Sequence, residues 1–162
     1  MTLYGEFIRL VEEFARRKIP YAVIGGLAVA YHASARATDD LDFLFFARDI
    51  ENIRAAMHKL GYLIEATPWT FQNTKLTVHR FSRFEAEEHM IVDVMVSDEE
   101  RYAKIVNRAV VAQTAAGQIR FAEKEDLIWL KKFRNSKQDQ ADIDAIENAQ
   151  RGSTDTQSER PA

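Results

Sequence analysis

Ile24-Gly25-Gly26 is followed, after an interval of thirteen residues, by Asp40-Leu41-Asp42-Phe43, and the reading of these two short runs decides the fold. Residues two apart on a strand project to the same face, so Asp40 and Asp42 point together while Leu41 and Phe43 enter the opposite face. Two converging carboxylates repel each other. A hard divalent cation relieves that repulsion, and Mg2+ is typically held by one or two carboxylates together with phosphates and waters. The glycine pair leaves a short apolar run and permits a tight turn, so that backbone amides and the start of the next helix can approach a phosphate. Together the two runs suit the holding of a metal-bound triphosphate. The alternative is a solvent-facing strand edge, where acid and apolar residues alternate without a ligand. Asp39 should point away from the pair and is left outside the site.

Outward from this centre the pattern alternates between helix and strand. Tyr4, Phe7, Leu10, Val11 and Phe14 recur at helical spacing and predict an amphipathic first helix that ends before Pro20. Residues 21–24 read as a strand, 27–32 as a short helix, 41–46 as a strand and 50–60 as a helix with Gly61 at its C-terminal cap. Strands follow at 76–81 and 89–96 with a turn across 85–88, which makes part of the sheet antiparallel. A helix is expected over 98–109, a strand pair at 110–113 and 118–121 across Ala115-Ala116-Gly117, and helices over 124–133 and 138–148. From Gly152 the chain holds no large apolar residue, so residues 1–150 are expected to form a single domain and 151–162 a disordered tail.

A third acid, Asp93, lies among Ile91, Val92, Val94 and Met95. Burying an unpaired charge is costly, so this residue needs a metal or an ionic partner, Arg36 or Lys131 being the candidates for the latter. If its strand lies beside that of Asp40, Asp93 completes the cluster, binds a metal and serves as general base toward an attacking hydroxyl. Arg36 suits either a phosphate contact or the orientation of the Asp40 strand. Thr38 suits a phosphate contact or the start of that strand. Lys131 stands on a helix with Leu127, Ile128 and Leu130 and reads either as a solvated residue or as a cation that neutralises a triphosphate. The four histidines show no spacing that suggests a metal site or a triad, and Trp69 and Trp129 read as packing residues.

The 162 residues are 46% hydrophobic and 29% charged, the profile of a globular domain with a sizeable core. With no cysteine in the chain, disulfides, zinc thiolates and thiol nucleophiles are excluded. A net charge of -3 argues against a general nucleic-acid coat. There is no signal-peptide plan and no apolar run of membrane-spanning length, so the expected location is the cytoplasm and no membrane partner is expected.

These residues resemble the signature of the nucleotidyltransferase superfamily related to DNA polymerase beta: apolar-Gly-Gly, about nine to thirteen residues, then acidic-apolar-acidic-apolar. Asp93 in its apolar strand matches that superfamily's third acidic position. The stretch Arg36-Ala37-Thr38-Asp39-Asp40-Leu41-Asp42 resembles more narrowly the AbiEii-type and related stand-alone bacterial nucleotidyltransferases. Glu125-Asp126-Leu127 through Lys131 and Lys137-Gln138-Asp139-Gln140-Ala141-Asp142 resemble late stretches of such chains, with Gln138 a departure that puts a role for Lys137 in doubt. The resemblance implies an α/β (α+β) nucleotidyltransferase fold with a central mixed sheet flanked by helices. It implies two divalent ions, Mg2+ or Mn2+, held by Asp40, Asp42 and Asp93, and a nucleoside triphosphate such as ATP contacted by Gly25 and Gly26, for which Arg36, Thr38 and Lys131 are the further candidate contacts. The implied reaction moves a nucleoside monophosphate to an RNA such as tRNA, a protein or a small molecule, and a role as the toxin of a toxin and antitoxin pair goes with it. The competing reading is a catalytically inactive protein of this fold that binds nucleotide or regulates a partner.

Overall fold

The computed structural model describes residues 1–158. In chain order its elements are α1 (Leu3–Arg16), β1 (Ala22–Ile24), α2 (Gly25–His32), β2 (Asp40–Phe46), a 3-10 turn (Ala47–Asp49) and α3 (Ile50–Lys59). They continue as β3 (Ile64–Glu65), β4 (Trp69–Thr70), β5 (Thr77–Glu85), β6 (Glu88–Ser97), α4 (Glu100–Asn107), β7 (Val110–Thr114), β8 (Gly117–Phe121), α5 (Lys124–Arg134) and α6 (Lys137–Ser158). Helix α6 runs past Gly152, where the sequence predicts a disordered tail to begin. The last part of that predicted tail, residues 159–162, lies outside the described residues. Among the described residues no helix is long and apolar enough to cross a membrane.

The strands form one mixed sheet in the order β3-β5-β6-β2-β1-β8-β7, with β4 on β5. β2 pairs with β6 and β1 with β8 in parallel, and the other pairings are antiparallel. The mixed sheet flanked by helices is the architecture expected from the sequence. Helix α1 lays Phe7, Leu10, Val11 and Phe14 on the core, where the Phe14 ring meets Phe43 at 5.3 Å and Phe45 at 5.0 Å, both edge-on. This is the face of β2 opposite the acids. Tyr4, read with the same apolar stripe, lies in the first turn of α1 and is instead 66% exposed. Gly61, with φ of +93°, ends α3 as expected: its amide donates to the His58 carbonyl and that of Tyr62 to the Met57 carbonyl, the paired bonds of a Schellman cap.

Charges inside this scaffold are paired. Glu6 accepts from the Tyr62 hydroxyl at 2.6 Å and from Arg9 and Arg83 at 2.8 Å each, and buried Glu13 is met by Arg16, Arg17 and Lys59. At the β3 edge, hydrogen bonds from Arg54, aided by His79, hold the Glu65 carboxyl at about 2, below its ordinary 4.5. A lowered carboxylate pKa stabilises the fold fully above the ordinary value, and that contribution is lost as pH falls from 4.5 through about 2. Glu65→Gln should therefore flatten acid unfolding in that window and cost about 1 kcal/mol at neutral pH, read from urea melts at successive pH values.

Candidate active site

The register of the sheet builds the site. Parallel pairing sets Asp42 of β2 opposite Asp93 of β6, and antiparallel pairing sets Arg80 of β5 opposite Asp93 and Ile24 of β1 opposite Asp42. Arg80, Asp93, Asp42 and Ile24 thus form one row across four strands. Asp40 lies two residues before Asp42 on the same face. The row forms part of a cavity of about 490 Å³ that is also lined by Gly25, Arg36, Thr38 and, from α5 and α6, Leu127, Lys131 and Asp139.

Asp93 is buried, and its partner is neither Arg36 nor Lys131. Arg80 forks onto it, with Nε donating to Oδ1 and Nη2 to Oδ2, each at 2.8 Å. The Arg80 guanidinium also stands 5.3 Å from the ring centre of Trp69, which is 38% exposed at the cavity rather than buried in the core. Burial, and then the negative charge of Asp93, push the Asp40 carboxyl above its ordinary value, which Arg80 offsets only in part. The carboxylates of Asp40 and Asp93 thus repel each other across this corner. Asp39 is exposed at the cavity wall, beside the pair.

The bare glycine surfaces serve close approach. A Cβ on Gly25 would lie 2.1 Å from Oδ2 of Asp42, and the residue has φ of +69°. A Cβ on Gly26 would lie 2.6 Å from Oγ1 of Thr38 and 3.1 Å from Nη2 of Arg36. Gly26 is buried and does not line the cavity, whereas Gly25 does. Helix α2 begins here with no side-chain cap on its first-turn amides. Gly25→Ala should cost about 1 to 2 kcal/mol for the left-handed backbone alone, and should also displace the Asp42 carboxylate. Thermal melting and Mn2+ affinity should fall together; an unchanged affinity would show that Asp42 does not need the bare turn.

Arg36 and Lys131 converge on Asp142 of α6. Lys131 Nζ donates to Asp142 Oδ2 at 2.8 Å and lies 3.7 Å from Asp139 Oδ1. Nε of Arg36 lies 3.0 Å from Asp142 Oδ1, close enough for the charges to pair but misdirected for a hydrogen bond. The Lys131 side chain is 6% exposed, which corrects the solvated reading. It falls one turn after the buried Leu127, and that i, i+4 spacing is the signal that could have placed it on the inner face. For Arg80 the available signal was the hairpin itself, since a turn across 85–88 sets residue 80 opposite residue 93. Three of the histidines have partners of their own, with His32 against the Ala122 carbonyl, His79 on Glu65 and His89 stacked on Phe84.

Among the described residues, no group of three or more His, Cys, Asp or Glu side chains stands arranged to hold a metal ion. The donor chemistry nonetheless fits a hard cation at Asp40 and Asp42, two same-face carboxylates of which Asp40 is held above its ordinary value by burial and the charge of Asp93.

No protein-family model and no curated protein matches the chain. Solved structures do resemble it. The crystal structure of ANT(2'')-Ia in complex with adenylyl-2''-tobramycin aligns with a TM-score of 0.59 at 16% identity, over 92% of this chain and 88% of that one. The solution structure of the antibiotic-resistance factor ANT(2'')-Ia aligns at 0.56 and 15% identity, over 92% and 84%. A candidate nucleotidyltransferase from Thermotoga maritima aligns at 0.53 and 15% identity, over 83% and 88%. On that likeness of architecture, the chain has the fold of the nucleotidyltransferases.

Proposed function

We propose that this protein is a metal-dependent nucleotidyltransferase that moves a nucleoside monophosphate from a nucleoside triphosphate to an acceptor hydroxyl. The observation that carries the reading is the Asp42–Asp93 register with Asp40 on the same face, at a cavity that Gly25 also lines. Asp40 and Asp42 would hold the Mg2+ or Mn2+, with Asp93 as a shared ligand. Bound there, the cation supplies charge neutralisation to the phosphate oxygens. Amides at the start of α2 face the phosphates, and Arg36 and Thr38 bound the same wall. Asp93 accepts the acceptor hydroxyl's proton as that oxygen bonds to the α-phosphorus; the bond from that phosphorus to the bridging oxygen breaks, and pyrophosphate leaves with the electron pair.

A small polyhydroxylated acceptor is favoured, because the structure aligned over most of this chain holds an adenylylated tobramycin. The AbiEii-like stretch Arg36 to Asp42 supports instead an RNA or protein acceptor, and with it a toxin paired with an antitoxin. A catalytically inactive, nucleotide-binding role has one observation in its favour, the Arg80 fork that occupies both oxygens of Asp93. Incubation with each α-labelled nucleoside triphosphate, Mg2+ or Mn2+, and separate pools of aminoglycosides, tRNA and protein tests the proposal. Label transferred to one pool with release of pyrophosphate supports it and names the acceptor class. Nucleotide binding without transfer to any pool would favour the inactive role.

A further inference from the structure

We propose that the cavity wall beyond Arg80 is the acceptor subsite and takes a neutral polyhydroxylated ring, a sugar or a cyclitol, whose C–H face lies on Trp69. The inference rests on the nucleotidyltransferase reading above and narrows its acceptor, setting neutral rings apart from polycationic aminosugars.

The strand order sets a direction along the cavity. Gly25 and the start of α2 follow β1 at one side, and β2, β6, β5 and β4 succeed one another across the sheet from there. In an in-line displacement the attacking oxygen stands opposite the leaving pyrophosphate. With the phosphates at α2 and Asp93 of β6 as the base, the acceptor comes from the side of β5 and β4. The next row along the same face is built there. Met95 lies two residues beyond Asp93, Val78 lies two before Arg80, and Val78 pairs with both Met95 and Trp69. With Phe71, Leu76 and, from α5, Phe133, these residues wall the cavity. Trp69 and Phe133 keep 38% and 49% of their surface exposed, so aromatic surface remains for a ligand to cover. A sugar or cyclitol ring matches such a wall, with its C–H face on the aromatic ring and its hydroxyls at the edge. The Arg80 guanidinium borders the Trp69 ring at 5.3 Å, and its Nη1, which is not part of the fork onto Asp93, can donate to one of those hydroxyls.

Charge separates neutral from cationic rings. The carboxylates on the cavity wall come from β2 and the residue before it, from β6 and from α6. Among the described residues, β4, β5 and the segment between them add no carboxylate to the wall, and the charged side chain they add is Arg80. A ring that carries several ammonium groups would meet that cation with no carboxylate beyond it to pair with.

The test follows Trp69 emission in a Trp129→Phe background, which leaves Trp69 as the one tryptophan, and transfer from α-labelled ATP in the wild type. The probes are methyl glucoside, myo-inositol and tobramycin. A neutral ring should change the emission saturably and accept label, and tobramycin at the same concentration should do neither. Trp69→Ala should raise the KM for the neutral acceptor about tenfold through the loss of one ring contact, with kcat and the KM for ATP unchanged, and Trp69→Phe should recover most of the loss. Trp69 is half-exposed on a two-residue strand, so Trp69→Ala should keep its fold; if circular dichroism shows otherwise, Phe133→Ala takes its place. Transfer to tobramycin as good as to the neutral rings, or transfer to tRNA or protein alone, would overturn the subsite and leave the transferase standing. Trp69 emission that answers to ATP alone would assign the wall to the nucleobase and overturn it likewise. A response to neutral rings without transfer to any acceptor would support the subsite and overturn the transferase reading. No response and no transfer would overturn both.

Discussion

Asp42→Asn should lower nucleotidyl transfer about a thousandfold, equivalent to roughly 4 kcal/mol of transition-state stabilisation, while leaving the fold in place. Asn keeps the shape that fits against Gly25, where the bare backbone meets the Asp42 carboxylate, so little packing changes. What changes is the charge at the centre of the row that joins Ile24, Asp42, Asp93 and Arg80. With one anion fewer, Asp40 has a weaker claim on a cation, and the position of the α-phosphate is no longer defined. Asp98→Asn, an exposed acid just beyond β6, should change neither transfer nor melting. Transfer by Asp42→Asn at the wild-type rate would remove the catalytic assignment of the cluster; a melting temperature many degrees lower would instead make Asp42 a structural residue.

For Lys131→Met the largest effect should be on stability, a loss of about 3 kcal/mol and a melting temperature lower by roughly 6 to 12 °C. The substitution keeps the bulk of the side chain and deletes a buried cation whose removal leaves Asp142 and Asp139, 2% and 1% exposed, short of positive charge. Asp142 keeps Arg36 at 3.0 Å and Gln138 at 2.8 Å, which places the cost at the low end for a broken buried pair. Adding Asp142→Asn should recover part of it. A solvated lysine would cost under about 0.5 kcal/mol, and urea denaturation with an unchanged slope separates the two cases. Loss of transfer without loss of stability would return Lys131 to the role of a triphosphate cation.

The elements that were legible in the sequence are those whose periodicity is local. The apolar stripe of α1, the β2 alternation and the glycine that closes α3 each depend on neighbours within a few positions, and each lies where those neighbours imply. The hairpin of β5 and β6 was legible for the same reason, with its turn at Ala86-Glu87 and exchanges such as Phe84 with His89. Tyr4 misleads because periodicity defines a face without saying which of its residues meet a partner. Lys131 misleads because a charged residue on a helix is ordinarily solvated, and the two acids that pay its desolvation lie on the next helix. Trp69 reads as a packing residue, yet it sits half-exposed on a two-residue strand at the cavity.

By itself the sequence determined that Asp40 and Asp42 share a face beside a glycine turn, since side-chain alternation along one strand needs no knowledge of its neighbours. It also determined that Asp93, set among apolar residues, must have a partner. The tertiary structure alone decided that Asp93 stands next to Asp42, whereas Arg80 faces Asp93 across a hairpin whose turn was placed at 85–88 from the sequence. Strands β2 and β6 are separated by three further strands and a helix in the chain, and their register is set by the packing of the whole sheet; a slip of one residue would turn Asp93 to the opposite face.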